Sequence, residues 1–233
     1  MTINIINFMH FIEIMFTKDI IKNKEVEKMN NKKWVDWAIE LQSLAQAGLT
    51  YGHDVYDQER YERIREISAE IMAYQNDIPL EKVKDLFCNE SGYQTPKLDT
   101  RAAIFKDNQI LLVKENNGKW SLPGGWVDVN LSVKQNTIKE VKEEAGLDVI
   151  ADRIIAVQDR AQHNVPIYAY GVCKIFVLCY EIGGKFEKNV ETVESRYFDE
   201  DHIPELSTEK NNEEQIHMCF EAYRHPNWKT LFD

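Results

Sequence analysis

Residues 123–147, PGGWVDVNLSVKQNTIKEVKEEAGL, constrain this chain more tightly than any other stretch. The pair Gly124 and Gly125 allows a tight backbone path that a side chain would obstruct. Ser132 followed by Gln135 reads as a capping box and starts a helix at that point. Gly146 stands where a helix ends in a left-handed residue. Between these ends, Val133, Thr137, Ile138, Val141 and Ala145 form an apolar stripe, and Glu140, Glu143 and Glu144 share the other face about one turn apart. Like charges stacked in this way repel. A hard divalent cation such as Mg2+, which takes carboxylate oxygens and keeps its own waters, would reverse that sign. On the carboxylates alone a solvated acidic face is the favoured reading; the surrounding residues overturn it.

Those residues resemble the signature of the Nudix hydrolases, G-x5-E-x7-R-E-U-x-E-E-x-G-U, with U aliphatic. Gly125, Glu140, Val141, Glu143, Glu144, Gly146 and Leu147 stand in register with it. Two positions depart: Leu131 replaces the first Glu, and Lys139 replaces the Arg. In the family these two pair to brace the loop against the helix, so their joint loss implies a different brace. A match of this length is far more specific than a lone glycine motif. The resemblance covers residues 33–223. The runs KWVDWAIELQSLAQAGLTYGHDVYDQERYERI, LDTRAAIF and ETVESRYFDEDHIPELS, and Trp126-Val127-Asp128 after the glycine turn, are similar to a subgroup with an added N-terminal helical domain. Its members hydrolyse nucleoside diphosphates linked to another group, X.

The resemblance implies an α+β chain: a Nudix α/β/α sandwich with a mixed sheet, preceded by a small all-α domain. The expected division is an extension at 1–28, a helical domain at 29–90 and the hydrolase domain at 97–233. Periodicity places helices at 34–47, 57–74 and from Pro79 onward, with Trp34, Trp37, Ala38, Leu41, Leu44 and Ala45 as the apolar set of the first. Gly48 is expected to end that helix, and Tyr61, Ile64, Ile67 and Ile71 to form the inner side of the second. Residues 89–96 have linker composition. Strands follow at 98–105 and 110–113 around an Asp107-Asn108 turn, then at 120–122, 148–158, 171–182 and 195–198, with Gly183-Gly184 as a turn. A last helix spans 208–223.

A pyrophosphate linkage resists hydrolysis because its oxygens repel a nucleophile, and metal ions neutralise that charge and activate water. The resemblance implies that Glu140, Glu143 and Glu144, with a backbone carbonyl at Gly124, hold Mg2+ (or Mn2+). A carboxylate free of metal must accept a proton from water; the signature Glu143 and Glu144 and the loop residues Glu191 and Glu194 are the candidates. Arg101, Arg160 and Trp126 are expected at the substrate, although a strand Arg at an exposed position is more often only a solubilising charge. His163 is not assigned a catalytic role. The expected activity is Mg2+-dependent cleavage of a nucleoside diphosphate linked to X, ADP-ribose or a CDP-alcohol such as CDP-choline, into a nucleoside monophosphate and phospho-X. The alternative is a non-catalytic nucleotide-binding sensor or regulator, which the intact carboxylate set disfavours.

The net charge of −11 argues against broad nucleic-acid or anionic-membrane binding. Four cysteines show no C-x-x-C spacing, and reduced buried thiols in the cytoplasm are the expectation. The apolar residues 3–16 are shorter than a membrane span and are broken by Asn7, His10 and Glu13. Either they form an amphipathic helix packed on the body or translation begins at Met29; the second is favoured. Two tryptophans and several tyrosines in the helical domain exceed what a small unit buries alone, which points to a homodimer or to a wall of the substrate cleft.

Overall fold

The computed structural model describes residues 33–76, 79–88, 91–168 and 170–233, so residues 3–16 and the start at Met29 lie outside the described residues. The chain divides into two compact units, Met1–Gln94 and Thr95–Asp233.

The first unit carries helices α1 (residues 33–51), α2 (Val55–Asn76) and α3 (Leu80–Phe87). Gly48 does not end α1, which continues to residue 51. It is instead a close-approach point, since a Cβ there would fall 2.4 Å from the Tyr61 ring of α2. The inner face of α1 is also shifted by about one residue from the apolar periodicity. Val35, Ala38, Gln42, Ala45 and Gln46 are buried, whereas Trp34, Trp37 and Leu44 are 44%, 43% and 59% exposed. Small residues let the helices approach, and the buried amides are satisfied: Gln46 Nε2 donates to the Gly92 carbonyl at 2.9 Å. On α2 the buried residues include Ser68, Ala69 and Met72, while Ile67, expected inside, is exposed. Pro79 caps α3 from outside and is not its first helical residue.

The second unit is built on strands β1 (Lys97–Lys106), β2 (Gln109–Glu115), β3 (Trp120–Ser121), β4 (Leu147–Asp159), β5 (Val172–Gly184), β6 (Thr192–Phe198) and β7 (Leu231–Phe232). Between them stand helices α4 (Val133–Ala145), α5 (Arg160–His163) and α6 (Glu213–Arg224). The sheet runs β3-β2-β1-β5-β4-β7, with β6 added against β2. It is mixed, β1 pairing parallel with β5 and antiparallel with β2. Asp107 and Asn108 turn the β1–β2 hairpin at φ 50° and 61°, the left-handed values a tight two-residue turn requires. Gly183 and Gly184, expected as a turn, are paired instead: β5 runs through both glycines, which lie opposite Asp148 and Leu147 of β4. The last helix starts at Glu213, five residues later than expected, because Asn212 and Gln215 form a capping box.

Alternate residues of the central strands serve two cores. Ala102 and Ile104 of β1 and Val177 and Cys179 of β5 pack with Val141 and Ala145 of α4. Ala103 and Phe105, with Phe176 and Leu178, pack with Ile216, Cys219 and Phe220 of α6. Burial on both faces explains the nearly continuous apolar runs of these strands. This is the expected helix–sheet–helix sandwich. Cys179 and Cys219 are fully buried and all four cysteines are free thiols.

Candidate active site

The glycine turn is held as a short antiparallel extension of β1. Thr100 N–H donates to the Gly125 carbonyl at 2.9 Å, and Ala102 N–H to the Pro123 carbonyl at 2.8 Å. Gly124 adopts φ 148°, and a Cβ there would fall 1.9 Å from the Thr100 carbonyl oxygen. A Cβ on Gly125 would fall 2.7 Å from Glu140 Oε2. Both glycines are therefore required by close approach, the second by a carboxylate of the site itself.

Helix α4 starts at the Ser132–Gln135 capping box and ends at Gly146, φ 70°. Its carboxylates are not a solvated face. Glu140 and Glu144 are 9% and 4% exposed, whereas the Glu143 side chain is 57% exposed. Glu144 Oε2 accepts the Gly124 N–H at 2.9 Å. Burial pushes the Glu144 carboxyl up to about 7, against the opposing pull of the Arg101 charge. Burial also raises Glu140, with Lys139 partly offsetting it.

The departures from the signature are compensated locally. The Lys139 ammonium lies 3.3 Å from Asp128 Oδ2, 3.2 Å from Glu140 Oε1 and 3.1 Å from Glu143 Oε2. It ties the loop to the helix, the task that the resemblance assigns to the Arg–Glu pair absent here. Asn136 adds a second tie: its Nδ2 donates to Thr100 Oγ1 at 3.0 Å and its Oδ1 accepts Asp128 N–H at 3.2 Å. The Glu143 hydrogen bond, followed by those of Glu140 and Asp128, raises the Lys139 pKa despite desolvation.

These residues open into one cleft of about 410 Å³, lined by Glu140, Glu143, Glu144, Gly124, Gly125, Trp126, Arg101, Arg160 and Glu191. Of the residues expected at the site, only Glu194 stands apart. It is not in a loop: it lies on β6 opposite Lys114, with Lys114 Nζ at 3.9 Å and Arg196 Nε at 3.7 Å. The arginines are not exposed charges either. Arg101 and Arg160 are 4% and 2% exposed. Arg101 donates to both oxygens of Asp99, at 3.0 and 2.6 Å. Burial works against its charge, but the Asp99 carboxylate overrides it and holds the pKa above the ordinary value. Trp126 is half exposed, its ring 6.2 Å from that of Tyr170.

Sequence reasoning missed Asp99, Lys174 and Tyr168, which line the same cleft. Lys174 stands in VCKIFVL, and a single Lys within so apolar a strand is the signal that marks it. Asp99 and Tyr168 carry no such signal, because only the β1–β5 pairing sets Asp99 beside Lys174. His163 lies elsewhere, 3.0 Å from the Asp233 carboxylate.

The donor set suits a hard divalent cation. Glu140 and Glu143 already share one cation, the Lys139 ammonium, and the Gly125 carbonyl is used by β1, leaving that of Gly124 for a ligand. Among the described residues, no three acidic, His or Cys side chains are yet converged as a metal cage. Carboxylates at this spacing repel one another, and the Lys139 ammonium between Glu140 and Glu143 offsets part of that repulsion.

Residues 32–87 match a family described as the UDP-X-like, N-terminal oligomerisation domain, and residues 96–219 match the NUDIX domain. A Bacillus subtilis (strain 168) protein, provisionally named the ADP-ribose pyrophosphatase YjhB, is 44% identical over 86% of this chain and 97% of its own length. The crystal structure of an ADP-ribose pyrophosphatase from Streptococcus suis 89-1591 is 55% identical, with a TM-score of 0.57, over 60% of this chain and 100% of that one. The crystal structure of a UDP-X diphosphatase is 30% identical, again with a TM-score of 0.57, over 86% of this chain and 98% of that one.

Proposed function

Because the chain belongs to the Nudix hydrolases and is a pyrophosphatase of that family, we propose that it cleaves ADP-ribose into AMP and ribose 5-phosphate. The observation that carries this reading is the cleft itself. It brings the α4 carboxylates together with the glycine turn, the buried cations Arg101, Arg160 and Lys174, and the aromatic rings of Trp126 and Tyr168. Relatives named as ADP-ribose pyrophosphatases support the substrate.

Family members generally use divalent metal ions. Glu140, Glu143, Glu144 and the Gly124 carbonyl would hold Mg2+ or Mn2+, which when bound supplies positive charge against the diphosphate and a nucleophilic water at neutral pH. Gly124 N–H orients Glu144 through its hydrogen bond, and Gly125 leaves room for the Glu140 carboxylate. Glu191 lines the cleft and is assigned the role of proton acceptor, with Glu143 and Glu144 as the signature alternatives. Glu194, engaged with Lys114 and Arg196, is released from that role. Trp126 offers a face on which a nucleobase can stack, and Arg101 fixes the floor through Asp99.

The N-terminal unit is assigned to self-association. Trp34, Trp37, Leu41 and Leu44 recur at helical spacing on α1, and three of them are exposed. The matched family is described by oligomerisation, and a homodimer through this stripe is the reading it supports. No helix among the described residues is long and apolar enough to cross a membrane. The test of the activity is a screen of ADP-ribose, CDP-choline and UDP-linked sugars with Mg2+, Mn2+ or EDTA. Metal-dependent release of AMP from ADP-ribose, faster than release of nucleoside monophosphate from the others, is expected. Preference for CDP-choline would overturn the substrate, and activity undiminished in EDTA would overturn the metal site.

A further inference from the structure

After α6 the chain returns along β4 and is tied to it repeatedly. Trp228 Nε1 donates to the Ile155 carbonyl at 3.0 Å, and Thr230 Oγ1 to that of Ile154 at 2.9 Å. Strand β7 then pairs in parallel with Ala156 and Val157. This tail lies beyond residues 96–219, the stretch matched to the NUDIX domain, so it is not part of what defines the family. The strand buries little, since Leu231 and Phe232 are 47% and 78% exposed. Apolar burial does not account for β7. What the strand delivers is the side chain that follows it, Asp233.

Asp233 N–H donates to the Val157 carbonyl at 3.3 Å and continues the ladder. At the next rung a side chain takes over from the backbone: Asp233 Oδ2 accepts the Asp159 N–H at 2.7 Å. A carboxylate at this point also reaches α5, where His163 Nε2 lies 3.0 Å from both of its oxygens. Because a carboxylate only accepts, His163 is the donor, through a proton on Nε2. The Asp233 side chain is 26% exposed, and partial removal from water strengthens both bonds. Asp233 therefore grips α5 at its two ends. Asp159 is the N-cap, its own Oδ1 accepting the Ala161 N–H at 3.0 Å, and His163 is the last helical residue. Between them Arg160 enters the cleft, donating to the Glu209 carbonyl at 3.2 Å and to the Pro166 carbonyl at 2.6 Å.

We propose that Asp233 is a positioning residue of the cleft: by bonding Asp159 and His163 it fixes α5, and with it the place from which Arg160 enters. Asp233 itself does not line the cleft. This rests on the reading of the cleft as a pyrophosphatase site. Arg160 is not among the groups assigned to the metal, so a shift of α5 should weaken substrate binding and leave the chemical step alone.

The test compares wild type, Asp233→Ala and Asp233→Asn in the full chain, by steady-state kinetics with ADP-ribose and by amide hydrogen exchange across residues 159–164. Asp233→Ala is expected to raise KM about tenfold, the scale of a lost charge-assisted hydrogen bond, with kcat within about twofold of wild type. Exchange across 159–164 should quicken in the same variant. Asp233→Asn keeps an acceptor for the Asp159 N–H but loses the charge that meets His163, and should fall between the two. Phe232→Ser alters an exposed side chain of the same strand and should leave KM and exchange unchanged. A merely structural aspartate would instead lower the melting temperature of Asp233→Ala and leave KM intact. Wild-type KM in folded Asp233→Ala, or a fall in kcat in place of the rise in KM, overturns the positioning role. If wild type hydrolyses none of the conjugates, the pyrophosphatase reading fails by itself. The exchange comparison then still decides whether Asp233 holds α5, unaltered exchange in Asp233→Ala overturning it.

Discussion

Helices α1 and α4 depart from the usual amphipathic pattern in opposite directions. On α4 two carboxylates, Glu140 and Glu144, are buried beside a glycine turn; on α1 two tryptophans are exposed while two glutamines are buried. Buried polar groups and exposed large apolar ones are the informative exceptions to burial by polarity. Here they separate two tasks. The helix that hides charge lines the cleft proposed as the active site, and the helix that shows aromatic surface carries the stripe proposed as a contact for a second copy. A shared helical period therefore says little about purpose until the environment of each face is known.

The strongest way to break that contrast lies on α4. Glu143→Gln should lower turnover on the order of 10²–10⁴-fold with folding intact, the scale of a lost carboxylate in acid–base or metal-assisted chemistry. Steady-state kinetics beside a circular dichroism melt checks it, and unchanged turnover in the folded variant would remove the carboxylate site. Gly125→Ala comes next. Its methyl group would press on Glu140 Oε2, and a displacement of that size can cost about 10²-fold in rate. If the same kinetics show wild-type turnover, the close approach is without catalytic meaning.

On α1, Trp34→Ser combined with Trp37→Ser should shift the protein from dimer to monomer. Analytical ultracentrifugation reads the outcome, and an unaltered dimer would move the interface off this stripe. The smallest effect is a pH dependence. The Glu144 carboxyl is raised from 4.5 to about 7 by burial, so the metal-free native state binds its proton more tightly than the unfolded chain. That contribution is fully present below 4.5 and is lost as pH rises through about 7. The melting temperature of wild type in EDTA should therefore fall relative to Glu144→Gln across that window. Parallel melting curves would show that burial does not govern this carboxyl.

The sequence by itself determined helix α4 and its glycine turn. Its capping box, its left-handed glycine and the two glycines before it are local devices, set by hydrogen bonds and sterics within a few residues, and all four appear where the residues placed them. The succession of strands and helices along the chain was legible from period and turn chemistry, whereas the helix–sheet–helix layers were expected only from the resemblance to the Nudix family. Tertiary structure alone decided the rest. Lys139 braces Asp128 only because the loop folds back on the helix, and Lys174 meets Asp99 only because β1 and β5, some 75 residues apart in sequence, pair in parallel. It also decided which side of α1 is inside. There, close approach at Gly48 and bonded glutamines outweighed the burial of tryptophan, since the energy of a helix face depends on the partner it meets and not on its own polarity.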